Sequence, residues 1–386
     1  MLTNLLQHIA KNPTKMKALI SNHIKNIGGW TSTRKILVIS VDDYGNVRLN
    51  SKADRDALLA DGMKPKSRFD LYDSLESKQD LEALCEVLSS VKDKDGKAAV
   101  FTPFAVCANM NFEKLIESNF TELEIENLTT TYSKLAQLMP ASYEGAWDAW
   151  KFGIAEGLLQ PQYHGREHFN QYFLKSELAK SNPDVQKVIA RRSYSFQNDK
   201  DYPTISYTAT FDFSDKDQLA NLKEIAEDGV NRFEAIYGYR PIHFMAPTSK
   251  AHPIVLEALK NEGIDFVDQG RVQIQHQGNG LYSKDRNVTG KKNPQGQTVL
   301  VRNVVFEPNA NSSAVTIAMK QVEAAFRMKK PAIISSHRVN FCGHIEESNR
   351  SQSLADLKSL LKQVVQKYPE VEFMGTSDLC KTITNS

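Results

Sequence analysis

Two aspartates stand side by side, Asp42 and Asp43, at the end of the apolar run Ile36–Val41. Adjacent carboxylates repel each other and are costly to bury unless a cation pairs with them. A divalent ion held by one, with a proton moved by the other, would account for both. His164 and His168 are the candidate partners for that ion, because H-x3-H spacing puts two imidazoles on one face if the segment is helical. One carboxylate oxygen and two imidazole nitrogens suit zinc best, with cobalt or nickel as alternatives. His337 closes another apolar run, "AIISSH", and is a third histidine at a strand end, which favours the metal reading although a lone histidine there is more often structural. A plainer reading competes with this one. Asp42 and Asp43 then cap a turn, and the histidines are loop or hydrogen-bonded structural residues. That reading explains one aspartate more easily than two. His243, His252, His276 and His344 lack such company and read as structural, and Trp147 and Trp150 as the apolar face of a helix.

These side chains need elements to carry them. Short apolar runs at 36–41, 98–106, 160–163, 206–212, 243–246, 265–267, 299–306, 332–335 and 372–374 read as strands. Helical patterns fall between most of them, at 79–93, 217–238, 253–263, 314–328 and 353–368, the last with a Leu354, Leu357, Leu360, Leu361, Val364 stripe. Strand then helix, repeated, argues for parallel strands with helical crossovers, which an open doubly wound sheet and a closed barrel both satisfy. A barrel places the residues that end its strands around one mouth, where barrel enzymes keep their chemistry. Polar residues do end several runs: Asp42–Asp43, His164, Asp212, Asp268 and His337.

The chain has 386 residues, 41% hydrophobic and 24% charged, with net charge +2 from well-mixed acidic and basic residues. There is no basic arm or stripe, so nucleic acid is not the expected partner. The N-terminal stretch is interrupted by polar residues every few positions and reads as neither a signal peptide nor a transmembrane segment. Cys85, Cys107, Cys342 and Cys380 form no CxxC and read as reduced thiols, so the expected compartment is cytoplasmic. Nothing in the sequence sets an oligomeric state.

Taken together, "SVDDYG", "HGREH", "HFMAPTSKAHP", "IISSHR" and the closing "YPEVEFMGTSDL" resemble, in order, the motifs of the polysaccharide deacetylase superfamily, the NodB-homology domain. The resemblance spans about residues 35–384. It implies an α/β fold, an irregular (β/α)7 barrel of the glycoside hydrolase/deacetylase type with inserted helical segments. Residues 1–34 are then an N-terminal helical extension, and about 110–150 an insertion that covers or reshapes the mouth. By the same resemblance, Asp43, His164 and His168 hold the metal, Asp42 is the base that deprotonates the attacking water, and His337 is the acid for the leaving group. Backbone N–H groups near Pro247 and Thr248 would help hold the acyl oxygen. The motif arginine that holds the catalytic aspartate falls on Met245 here; Arg338 and Arg166 are the candidates to replace it and to contact substrate. The implied function is metal-dependent removal of an acyl group, acetyl first, from an amino sugar, oligosaccharide or related glycan. The alternatives are amide or ester hydrolysis on a non-sugar small molecule, and a barrel without catalysis that binds a glycan or a partner protein.

Overall fold

A strand buried on both faces must be apolar along its length, and residues 36–41 meet that condition. In the structure, a computed structural model describing residues 21–385, they form the centre of β1 (Lys35–Tyr44). The other strands are β2 (Phe101–Ala105), β3 (Ala108–Met110), β4 (Ile125–Asn127), β5 (Gln162–Tyr163), β6 (His243–Phe244), β7 (Phe266–Asp268), β8 (Val272–Gly278), β9 (Leu281–Arg286), β10 (Thr298–Leu300), β11 (Val304–Val305), β12 (Ala332–His337) and β13 (Val371–Met374). The main sheet runs β10-β7-β6-β5-β2-β1-β12-β11 and every pairing in it is parallel. β12 holds one edge of β1 from Leu37 to Asp42; β13 and β2 share the other edge, at its start and its end.

The two outermost strands of that order, β10 and β11, are joined by only Val301, Arg302 and Asn303. So short a link spans roughly 14 Å at full extension. The sheet is therefore rolled until its edges meet, giving an irregular parallel β/α barrel with a seam at 301–303. Asn303 stitches the seam: its side chain donates to the Pro331 carbonyl at 2.8 Å and accepts from the Ile333 N–H at 2.8 Å. Helices pack outside the barrel, among them Glu347–Lys367, whose Leu354, Leu357, Leu360, Leu361 and Val364 are buried as the stripe requires.

Two expectations need correcting. Ser206–Asp212 is not a strand but a run of turns. Side chains take its backbone groups away from any ladder: the Asp212 carboxylate accepts from Ser206 N–H, Asp199 from Tyr207 N–H, and Asn170 donates to the Ala209 and Asp212 carbonyls. The run 299–306 is two strands, not one, broken at the seam. Two hairpins went unpredicted, β3–β4 and β8–β9. In the 110–150 segment, the helix Ala146–Ala155 packs on the helix Lys78–Ser89 at the barrel's flank, while Asn109 just before it bonds Val47 N–H and Gly45 C=O beside the aspartates. The expected N-terminal extension lies mostly outside the described residues; from 26 to 30 the chain straps the seam, through Asn303 to Asn26 and Lys330 to the Gly29 and Trp30 carbonyls. Among the described residues no helix is long and apolar enough to cross a membrane.

Candidate metal centre and active site

In a regular strand Asp42 and Asp43 would point to opposite faces. Here the β1–β2 register shifts between Val41 and Tyr44, and Asp43 takes a left-handed conformation with φ 78°. Aspartate tolerates that conformation, and a bulge re-aims side chains at the end of a strand. Both carboxylates thus serve one site. The bulge is held from behind: Gly45 N–H donates to Glu76 at 3.1 Å, and Glu76 is paired to Arg338.

His164 and His168 lie on a loop after β5, not on a helix as their spacing allowed. Gly165, at φ 112°, supplies a backbone turn that an L side chain rarely adopts. His164 Nδ1 donates to the Met245 carbonyl at 2.7 Å, which leaves Nε2 unprotonated in the neutral ring. That nitrogen faces Asp43 Oδ1 at 3.4 Å, and His168 Nε2 lies 2.8 Å from the same oxygen. All three residues are buried, with their ligand atoms within 4.8 Å of one another. Neither ring nitrogen of His168 has a hydrogen-bond partner, since its approach to Asp43 is off-line. Lone pairs of nitrogen and carboxylate facing each other across a buried gap fit a divalent cation between them, so the residues present match the expected set.

The electrostatics agree. Burial alone would raise the Asp43 carboxyl, but the charge of His168 and the closeness of both imidazoles hold it well below the usual carboxylate range. Burial lowers His168 against the pull of Asp43, so its ring is neutral and free to ligate at neutral pH.

Asp42 and His337 are neighbours by register, directly paired across β1 and β12. Each has its own anchor. Both Asp42 oxygens take the Arg302 fork, at 2.8 and 2.8 Å, and Arg302 Nε continues to Asp268 at 2.6 Å, which reaches His243 at 3.2 Å. His337 Nδ1 donates to Glu307 at 2.6 Å, leaving Nε2 for the cleft. Burial pushes His337 down, but the Glu307 bond and the charges of Asp43, Glu307 and Asp42 together raise it to about 9.

The arginine expectations are therefore corrected. Neither Arg338 nor Arg166 touches Asp42. Arg338 is 0% exposed and spent on Asp73 and Glu76, where no substrate reaches it. Arg166 is paired with Glu167 and Asp228, on the side of the helix Leu219–Tyr237. Arg302 was missed although it sits inside the apolar "TVLVRNVVF", where a buried charge demands a partner. Glu307 carried no such signal. Pro247 packs near Gly165, and Thr248 beside it is exposed at φ 57°. Arg48 was also missed: it is buried, its guanidinium lies 4.9 Å over the Phe69 ring, and Phe69 meets His337 edge-on at 5.5 Å.

No family model matches the chain, and no curated protein matches it. Among solved structures it is similar to a probable polysaccharide deacetylase from Pseudomonas aeruginosa PAO1, at 12% identity and TM-score 0.43 over 90% of this chain and 91% of that one. It is similar to Puue allantoinase, at 13% identity and TM-score 0.43 over 91% of each chain. It is also similar to 4-alpha-glucanotransferase from Thermococcus litoralis, at 9% identity and TM-score 0.44 over 90% of this chain and 40% of that one. The functional reading rests on the site's own residues.

Proposed function

We propose that this chain is a divalent-metal-dependent hydrolase that removes an acyl group, acetyl first, from an amino sugar, oligosaccharide or related glycan. The observation that carries the reading is the buried face-to-face set of Asp43, His164 and His168, with both His168 nitrogens unpartnered, beside an anchored carboxylate and an anchored imidazole. Zinc is the first choice of ion for a one-oxygen, two-nitrogen set. When bound, such an ion makes water a competent nucleophile near neutral pH and polarises the acyl carbonyl.

The residues of the chain do the rest. Asp42 takes the proton of the attacking water, and the Arg302 fork fixes its carboxylate plane. His337, protonated and oriented by Glu307, gives its Nε2 proton to the departing amine or alkoxide. The Thr248 backbone N–H is our candidate donor for the acyl oxygen, because Pro247 before it packs near Gly165, the residue after His164. Phe69, backed by the buried Arg48 guanidinium, meets His337 edge-on and is the candidate contact for the sugar or its substituents.

The test is acetate release from N- and O-acetylated mono- and oligosaccharides and from acetylated non-sugar amides, using protein reconstituted with zinc, cobalt or nickel. Release from glycans, lowered by about 10²–10⁴ in Asp42→Asn, supports the reading. Glycan affinity with no acetate from any substrate would replace it with a binding barrel, and turnover confined to non-sugar amides would move the substrate class.

A further inference from the structure

In the hairpin β8–β9 the usual rule of burial is inverted. Its two strands pair only with each other. The side chains turned to the body are polar: Gln273 donates to the Ser249 carbonyl at 2.6 Å, Gln275 accepts from Ala251 N–H at 3.2 Å, and buried His276 packs on Phe213. The apolar ones face water, with Val272 48%, Ile274 55%, Leu281 66% and Tyr282 54% exposed. At the hairpin's foot Arg271 holds the Lys25 and Ile27 carbonyls at 3.0 and 3.1 Å, which brings exposed Ile24 and Ile27 alongside. Six of the ten large apolar side chains left exposed among the described residues belong to this one region. A concentration of that kind marks a contact surface.

The charge around it points to the partner. Residues 269–297 contain Arg271, Lys284, Arg286, Lys291 and Lys292 against the single acid Asp285. Their hydrogen bonds, where present, go to carbonyls, an amide oxygen and a hydroxyl, as with Lys291 to Arg286 C=O and Lys292 to Thr298. None has a carboxylate in ion-pair contact among the described residues. The whole chain is only +2, so the rest of it is net negative. Two copies meeting through this patch would set cations against cations. Apolar side chains framed by unneutralised lysine and arginine suit anionic lipid headgroups instead.

We propose that this hairpin, with Ile24 and Ile27, docks the protein on an anionic membrane surface. The hairpin follows β7, whose Asp268 anchors Arg302, and its glutamines rest on residues 249–251 beside Pro247–Thr248. Docking there holds the mouth of the barrel against the lipid headgroups, whatever chemistry the mouth performs.

The full chain is floated with vesicles of phosphatidylcholine alone and of phosphatidylcholine with about one-third phosphatidylglycerol. The expected result is about tenfold more protein on the anionic vesicles, reversed by high salt, with that gain lost in Ile274→Asp/Leu281→Asp and in Lys284→Glu/Arg286→Glu. All four side chains are exposed or half-exposed at the surface, so thermal unfolding of the variants should match the wild type and separates lost docking from lost folding. Equal binding to both vesicles, no binding to either, or anionic binding that both variants retain overturns the proposal. A wild-type dimer that Ile274→Asp/Leu281→Asp dissolves, without lipid binding, would make the patch a self-interface.

Discussion

Met245 stands where the sequence resemblance places an arginine, and the carboxylate that arginine was expected to hold is held instead by Arg302. Arg302 is the only side chain hydrogen-bonded to Asp42 among the described residues, and it is buried between Asp42 and Asp268. Arg302→Met leaves two buried carboxylates without their cation. We expect it to cost about 3–5 kcal/mol in urea unfolding. Turnover should fall about 10²-fold or more with metal content retained, and Arg302→Lys should recover part of the stability but little of the rate, because a single ammonium cannot form the fork. The second residue-scale prediction concerns pH. His337 must be protonated to act as an acid, so activity is lost as pH rises through its pKa, about 9 in the ion-free protein. An ion on Asp43 cancels part of the charge that raises it, so the alkaline limb of kcat lies at or below that value. Glu307→Gln removes the bond and the charge that lift His337, and the limb should move to lower pH. A limb unchanged in Glu307→Gln would show that another group titrates there.

Elements decide where those residues end up, and they set what the sequence could disclose. The parallel strand–helix alternation was legible, because buried strands are continuous apolar runs and the outer helices carry stripes. Asp43 and His337 were findable for the same reason, each ending an apolar run, whereas His164 and His168 were marked by their H-x3-H spacing. The bulge at Asp42–Asp43 was not legible, since its cause lies in Glu76 and Asn109, distant in sequence. Nor was the break at 301–303, where apolar residues on both sides of Arg302–Asn303 read as one continuous strand. Ser206–Asp212 failed as a strand because Asp199, Asn170 and Asp212 satisfy its backbone with side chains. One helix–strand contact can be tested directly. Gly229, inside the helix Leu219–Tyr237, leaves room for the Tyr163 ring, whose hydroxyl lies 1.9 Å from where an alanine Cβ would sit. Tyr163 immediately precedes His164. Gly229→Ala should therefore destabilise by about 1–3 kcal/mol and weaken metal binding, as read by thermal unfolding with and without added zinc. Unchanged unfolding would mean that Tyr163 repacks freely.

At the scale of the whole molecule, an ion on Asp43, His164 and His168 ties the end of β1 to the loop after β5, two parts of the barrel separated by β2. Binding to the folded state alone stabilises it, by about 2.7 kcal/mol at a free concentration of 100 times Kd. A chelator should accordingly lower the melting temperature of the wild type and leave that of His164→Ala/His168→Ala unmoved. The seam gives the same scale a second meaning, because Arg302, Asn303 and the strap from 26 to 30 close the barrel on the side that fixes Asp42. The account depends most on the ion itself. Elemental mass spectrometry of the purified protein beside the His164→Ala/His168→Ala variant tests it most directly. Near one transition-metal ion per chain in the wild type and none in the variant is the predicted result. No metal in the wild type after incubation with zinc, cobalt or nickel, or equal metal in both proteins, would contradict it.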